Sequence, residues 1–234
     1  MEQRVGRYCV VIPAFNAART IQTVIDGVRG HGLPVVVVDD GSTDETAALA
    51  ARHGATVISH LRNEGKGSAL RSGFGYAMRA AYDGVITMDS DGQHDPGDVA
   101  QLIREAERQH ARIVVGNRMS DAPRMPALRR WTNRLMSGVV SALTHQRIPD
   151  SQCGLRLIRR EVLLSVALRA TRFEIETELL LAASRGRWKT ISVPVRTIYD
   201  GHASHIHPLR ETWHFLHAIA RHCGQRIFSR GTQE

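Results

Sequence analysis

Five short runs rich in valine and isoleucine, each followed at once by a polar cluster, most constrain how this chain can fold. The runs occupy residues 8–13, 34–39, 56–59, 84–89 and 112–116, and helical periods at 20–28, 43–53, 67–81 and 96–109 lie between them. Runs that are apolar on both faces and separated by helices imply a parallel sheet covered on both sides. In open sheets of this kind the ligand crevice lies at the carboxyl ends of the strands. The polar clusters fall at those ends: Asn16, Asp39 with Asp40, Asn63 to Lys66, Asp89 to Gln93, and Arg118. Their convergence on one rim predicts a ligand-binding enzyme.

Beyond Arg118 the pattern changes. Residues 125–143 carry Leu128, Trp131, Leu135, Met136, Val139, Val140 and Leu143 at helical spacing, interleaved with Arg129, Arg130 and Arg134. The stripe either packs on the protein's own core or rests on a bilayer as an amphipathic helix. A short extended segment at 152–158, helices near 160–168 and 174–185, a strand at 190–199 and an amphipathic helical pattern at 208–228 follow. With no internal repeat, linker or low-complexity tract, a single domain over residues 1–234 is expected.

Charge narrows the partners. Lysine and arginine total 31 against 23 acids, a net charge of +8, and Lys66 and Lys189 are the only lysines. From Arg118 to Arg172 there are eleven arginines and three acids, so that stretch alone equals the net charge of the chain. It is either a solvated face or a surface for phosphates on a small ligand, a lipid or a nucleic acid. Nucleic acid is disfavoured, because aromatics are only 5% of the chain and a rim of carboxylates repels a phosphate backbone. No apolar run approaches the roughly 20 residues of a membrane-spanning helix. The opening MEQRVGRYCVVIP breaks at Pro13 and does not read as a secretory signal. Cys9, Cys153 and Cys223 are odd in number and far apart, which implies no disulfide framework and a cytoplasmic setting.

Three stretches carry chemistry. ITMDSDGQHDP delivers Asp89 and Asp91 at positions i and i+2 of an extended segment, so both can address one hard cation, Mg²⁺ or Mn²⁺. Such an ion bridges phosphate oxygens of a diphosphate. Its Asp95, before Pro96, also suits the cap of the next helix. VVVVDDGSTDET ends a strand in two carboxylates that can accept from a base N–H or a ribose hydroxyl, while Asp44 and Glu45 suit a helix's first turn. NEGKGSAL offers backbone N–H groups and the Lys66 ammonium to an anion. It is not the phosphate loop of nucleotide hydrolases, since His60 stands where the first glycine would be.

In this order the motifs resemble the inverting family 2 glycosyltransferases of the GT-A fold, and within them the dolichyl- or polyprenyl-phosphate mannose and glucose synthases. The matching stretches are VIPAFNAARTI (Pro13, Phe15, Asn16), VVDDGSTD (Asp39, Asp40), RNEGKGSALRSG (Asn63, Lys66, Gly67) and MDSDGQHDP (Asp89, Ser90, Asp91, Gln93). VVGNRM (Arg118), DSQCGLRLI (Asp150, Cys153, Gly154), FEIETELLL (Glu178) and SVPVRTIY (Pro194) extend the match to about residues 8–205. The resemblance implies an α/β/α sandwich on a mostly parallel sheet with a C-terminal helical elaboration. It divides the chain into a nucleotide-sugar half (8–118), an acceptor half (119–205) and a C-terminal amphipathic helix (206–234). It implies that Pro13, Phe15, Asn16, Lys66, Gly67 and Ser90 line the donor site and that Asp39 or Asp40 reads the base. It further implies that Asp89, Asp91 and Gln93 hold the metal, that Arg118 contacts the diphosphate and that the segment around Asp150 lies beside the acceptor. Two differences stand out. The family often has Asn-Glu where this chain has Asn16-Ala17, and a later arginine and lysine that clamp the phosphates have no match near Asp200, His202 and His205. His205, after Ser204, is the candidate for that clamp.

The expected reaction is transfer of a sugar, with inversion, from a GDP- or UDP-sugar to a lipid phosphate or another hydroxyl. Positioning and neutralisation of the leaving diphosphate by the metal and Arg118 supply most of the rate. A lipid-phosphate acceptor arrives ionised; a hydroxyl needs a base, for which Asp150 is the candidate. Arg124, Arg129, Arg130 and Arg134 around Leu128, Trp131 and Leu135 fit an anionic membrane, on the inner face of which the protein would sit. The rival readings are a sugar-nucleotide nucleotidyltransferase, whose glycine- and arginine-rich loop PAFNAART does not supply, and a basic nucleic-acid-binding protein without enzymatic activity.

Overall fold

A computed structural model describes residues 6–120, 125, 127–198 and 219. The alternation expected from the sequence is present: β1 (Tyr8–Ala14), α1 (Ile21–Gly30), β2 (Val35–Asp39), α2 (Thr46–Arg52), β3 (Thr56–Ser59), α3 (Lys66–Arg79), β4 (Gly84–Thr87), α4 (Asp98–Arg108) and β5 (Ile113–Asn117). Then come α5 (Ala127–Thr144), β6 (Arg156–Arg159), α6 (Arg160–Ser165), α7 (Ile175–Arg185) and β7 (Thr190–Pro194). Valine and isoleucine fill β1 and β2 because both faces of these strands are covered, and every residue of the two is buried. Helix α1 buries Ile21, Val24, Ile25 and Val28, the i, i+3, i+4, i+7 stripe of a helix laid on a sheet. Full burial of such a side chain contributes about 1.5–3 kcal/mol.

The sheet has seven strands in the order β3-β2-β1-β4-β6-β5-β7. The sheet is mostly parallel, as expected, with one strand reversed. Strand β6 runs antiparallel to both β4 and β5, while the other neighbours pair in parallel. Pro13, although inside β1, costs no ladder bond on the β4 side, because that pairing ends at Val11 opposite Thr87. The last expected strand is shorter than the run 190–199. It leaves the sheet after Pro194, and Thr197 instead forms a bridge with His94 on the loop after β4.

Helix α5 divides its apolar stripe, with Met136 and Val140 in the core and the residues at its start exposed. Asn133, Met136, Ser137, Val140 and Thr144 face inward, whereas Leu128, Trp131 and Leu135 are 66%, 64% and 57% exposed. The stripe at the helix start therefore does not pack on the core among the described residues. No helix there is long and apolar enough to cross a membrane. The amphipathic pattern at 208–228, apart from Ile219, lies outside the described residues, as do Arg124, His202 and His205.

Candidate active site

The carboxyl ends of β1 and β2 are tied together by side chains. Asn16 adopts a left-handed backbone (φ 51°), its N–H donates to Ser42 Oγ at 2.9 Å, and its Oδ1 accepts from the Thr43 N–H at 2.9 Å. Asn16 thus staples two loops, a role its motif did not reveal, and Phe15 beside it is 46% exposed. Pro13 is buried within β1, so its part in the rim is to shape the strand end.

The adjacent acids differ. Asp40 is committed: its Oδ1 meets His60 Nδ1 at 2.7 Å and the Glu64 N–H at 3.0 Å, and its Oδ2 accepts from the Gly65 N–H at 2.7 Å. Asp39 accepts from the Ser42 N–H through Oδ1 at 3.3 Å. Gly41 between them and the next turn has φ 74°, and a Cβ there would overlap the Arg62 backbone, so only glycine lets the 62–65 segment close over this turn.

Lys66 begins α3 and reaches two acids. Its Nζ lies 2.6 Å from Asp89 Oδ1 and 2.7 Å from Glu176 Oε1, with the Phe173 ring 5.4 Å away. His94 Nε2 lies 3.7 Å from Asp89 Oδ2. Burial opposes ionisation of Asp89, but Lys66 and His94 overcome it and hold the carboxyl well below the usual range. The same pairing outweighs burial at Lys66 and raises its pKa. Gly154 packs directly against Asp89, where a Cβ would overlap the carboxylate, and Thr87 Oγ1 donates to the Gly154 carbonyl at 2.7 Å.

The expected phosphate cradle at the start of α3 is otherwise employed. The N–H groups of Gly67 and Ser68 both donate to the Thr171 carbonyl, at 2.8 and 3.2 Å, because the segment before α7 lies across that helix end. The Gly67 N–H is thereby spent, and Lys66 Nζ is shared between two carboxylates.

Asp91 is exposed and accepts its own loop's Gln93 N–H at 3.0 Å, while Ser90 gives its carbonyl to Thr20 Oγ1 at 2.6 Å. Asp95 accepts from the Gly97 N–H at 2.9 Å ahead of α4. No group of three or more His, Cys, Asp or Glu side chains able to hold a metal occurs among the described residues. Asp89 and Asp91 thus do not form a finished cage. An open carboxylate at Asp91, an amide at Gln93 and a half-open carboxylate at Asp89 do fit a hard cation completed by ligand phosphates, the usual manner of magnesium.

Arg118 and Asp150 pair with each other. Asp150 is 0% exposed and accepts from the Arg118 backbone N–H (3.1 Å), Arg118 Nε (2.8 Å), Arg118 Nη2 (3.0 Å) and Asn133 Nδ2 (2.8 Å). Burial opposes its charge, yet Arg118 and these bonds keep its pKa below the ordinary value. In this arrangement the carboxylate is enclosed by four donors rather than open to solvent. Arg118 is correspondingly buried and spends its fork on Asp150. Ser137 extends the network from Asn133 to the Ser151 N–H.

Two residues that sequence reasoning passed over complete the floor. Arg156, fully buried on β6, donates to the carbonyls of Cys153 (2.8 Å), Glu176 (2.6 Å) and Ser151 (2.7 Å). Glu176, not Glu178, meets Lys66; Glu178 instead accepts the N–H groups of Arg169 and Ala170. No local signal singled out either one, since Arg156 shares the four-residue β6 with Arg159 and Glu176 stands two residues before Glu178 in α7.

Comparison with known proteins agrees with this architecture. The family model described as Glycosyl transferase family 2 matches residues 9–166. A UDP-N-acetylglucosamine–dolichyl-phosphate N-acetylglucosaminyltransferase from Methanococcus voltae is 30% identical over 213 residues, covering 81% of this chain and 85% of its own. A polyprenol monophosphomannose synthase from Mycolicibacterium smegmatis is 28% identical over 207 residues, covering 81% and 76%. The crystal structure of glucosyl-3-phosphoglycerate synthase from Mycobacterium tuberculosis, in complex with Mn²⁺, UDP and glucosyl-3-phosphoglycerate, shares the fold. Its TM-score is 0.71 at 24% identity, over 94% of this chain and 80% of that one. With the family model covering well over half of its length, the chain belongs to glycosyltransferase family 2 and is an enzyme of the GT-A fold.

Proposed function

We propose that this glycosyltransferase moves a sugar, with inversion and with a divalent cation, from a nucleoside diphosphate sugar to the phosphate of a polyprenyl or similar lipid. The acceptor reading is carried by the enclosure of Asp150. A hydroxyl acceptor needs a base, and the carboxylate that the sequence offered for that task is bound to Arg118. A phosphate oxygen arrives ionised. It attacks the anomeric carbon as the bond to the diphosphate breaks, and the electron pair leaves with the diphosphate.

Residues 8–118 take the donor, with Asp39 reading the nucleoside, guanosine or uridine, and Phe15 flanking it. Asp91 and Gln93, joined by Asp89, would hold Mg²⁺ or Mn²⁺, which when bound neutralises the departing diphosphate. Lys66 would turn from Asp89 toward the phosphates, still anchored by Glu176. His205 remains a proposed phosphate donor. Two relatives support the acceptor, one a dolichyl-phosphate N-acetylglucosaminyltransferase and the other a polyprenol monophosphomannose synthase. Solved structures of the mycobacterial synthase hold Mn²⁺ or Mg²⁺ together with UDP, which supports the cation.

The exposed start of α5 supports a membrane location on the cytoplasmic face. Leu128, Trp131 and Leu135 stand out of the protein beside Arg129 and Arg134, and α5 contains no acidic residue. Each basic residue near an anionic surface contributes about 1 kcal/mol, enough for reversible, salt-sensitive attachment. The test is a panel of GDP- and UDP-sugars with Mn²⁺, scored first by thermal shift and then by transfer to a short-chain polyprenyl phosphate. A thermal shift with one nucleotide and a lipid-linked product from its sugar are expected; a shift with transfer only to hydroxyl acceptors would overturn the lipid-phosphate reading.

A further inference from the structure

His60 stands between the donor-reading acids and α3. Its Nδ1 lies 2.7 Å from Asp40 Oδ1 and its Nε2 lies 2.9 Å from Ser72 Oγ. Its own N–H continues the sheet by donating to the Asp39 carbonyl at 2.9 Å. In the neutral ring only the Nδ1–H tautomer serves both neighbours, donating to the carboxylate and accepting the Ser72 hydroxyl.

Aspartate, histidine and serine in this order form a nucleophilic relay in hydrolases. Ser72 cannot use it so, because it lies inside α3 (Lys66–Arg79), where backbone N–H groups are spent on the helix and leave no oxyanion donors. The relay therefore acts in the other direction, toward Asp40. That carboxylate gathers the N–H groups of Glu64 and Gly65, the two residues that deliver Lys66 to the rim.

We infer that His60 is a positioning residue for donor binding: by engaging Asp40 it locks the 64–65 segment, sets Lys66, and leaves Asp39 as the acid that reads the nucleoside. This rests on the donor-site assignment above, and it adds a residue that touches no ligand.

The experiment compares wild type with His60→Ala, His60→Asn, Ser72→Ala and Asp40→Asn by titration calorimetry with UDP and GDP in Mn²⁺, and by donor KM and kcat. Thermal unfolding is followed in parallel. Loss of a charge-assisted hydrogen bond predicts that His60→Ala raises the nucleotide Kd and donor KM about tenfold, with kcat little changed. His60→Asn keeps a donor at the δ position and is expected to recover most of that loss, while Ser72→Ala has the smallest effect. Asp40→Asn combined with His60→Ala should be no worse than Asp40→Asn alone. A fall in melting temperature with unchanged Kd and KM, or equal losses in the Ala and Asn variants, would overturn the inference. Wild type that binds neither nucleotide would overturn the donor site itself, a separate result from His60 variants that bind as wild type does.

Discussion

The acid–cation clusters around Asp89 and Asp150 differ in how far they are closed. At the rim, Asp89 keeps 27% of its side chain exposed and shares Lys66 with Glu176. Beneath α5, Asp150 keeps none and is gripped bidentately by Arg118, with Asn133 behind it. A half-open cluster can exchange one partner for a ligand at modest cost, because water and the remaining acid compensate. A closed, bidentate pair cannot, since separating it leaves an uncompensated buried charge. On the proposed function the rim cluster serves binding, and the buried one holds Asp150 and its loop in place.

The largest break in that comparison should come from Asp150→Ala. It strands the Arg118 guanidinium and is expected to lower stability by about 3–5 kcal/mol in urea unfolding. An Asp150→Asn protein that unfolds like wild type but turns over roughly 10²–10⁴ times more slowly would restore the general-base reading. At the rim the expectation reverses. Asp91→Asn should leave unfolding unchanged while weakening Mn²⁺-dependent nucleotide binding by at least about tenfold, as read by calorimetry; equal binding would remove Asp91 from the cation site.

Acid sharpens the contrast further. The folded pKa values of Asp89 and Asp150 lie below the ordinary carboxylate value of about 3.9. Their contribution is therefore fully present above that pH and is lost as pH falls through it toward the folded values. Wild type should lose stability below about pH 4 more steeply than Asp150→Asn, and parallel curves would show that the pair contributes nothing. The smallest effect concerns α5, outside both clusters. Arg129→Glu with Arg134→Glu should abolish sedimentation with anionic vesicles at low salt without altering soluble nucleotide binding. Vesicle binding that survives the change would place the membrane contact elsewhere.

Much of the donor half was legible because its strands are uninterrupted runs such as VVVV at 35–38, and its acids follow those runs directly. Strand β6 was harder: Arg156 and Arg159 interrupt its apolar run, and its antiparallel insertion between β4 and β5 depends on chain return rather than on local pattern. The residue types of the rim were also readable, but not their partners. Lys66 meets Glu176 across 110 residues of sequence, and Arg118 meets Asp150 across 32. No spacing rule encodes such distances; burial and charge pairing decide them. That is why Asp150 reads as an available base in the sequence and lies enclosed beside Arg118 in the fold.

The most direct test of the account is transfer from labelled GDP-mannose, UDP-glucose and UDP-N-acetylglucosamine to a polyprenyl phosphate in Mn²⁺, followed by extraction into organic solvent. The account predicts that label from one of these donors moves into the lipid phase, that the transfer requires the cation, and that Asp91→Asn eliminates it. Label that stays in water with every donor, from protein that still binds the nucleotide and cation, would contradict it.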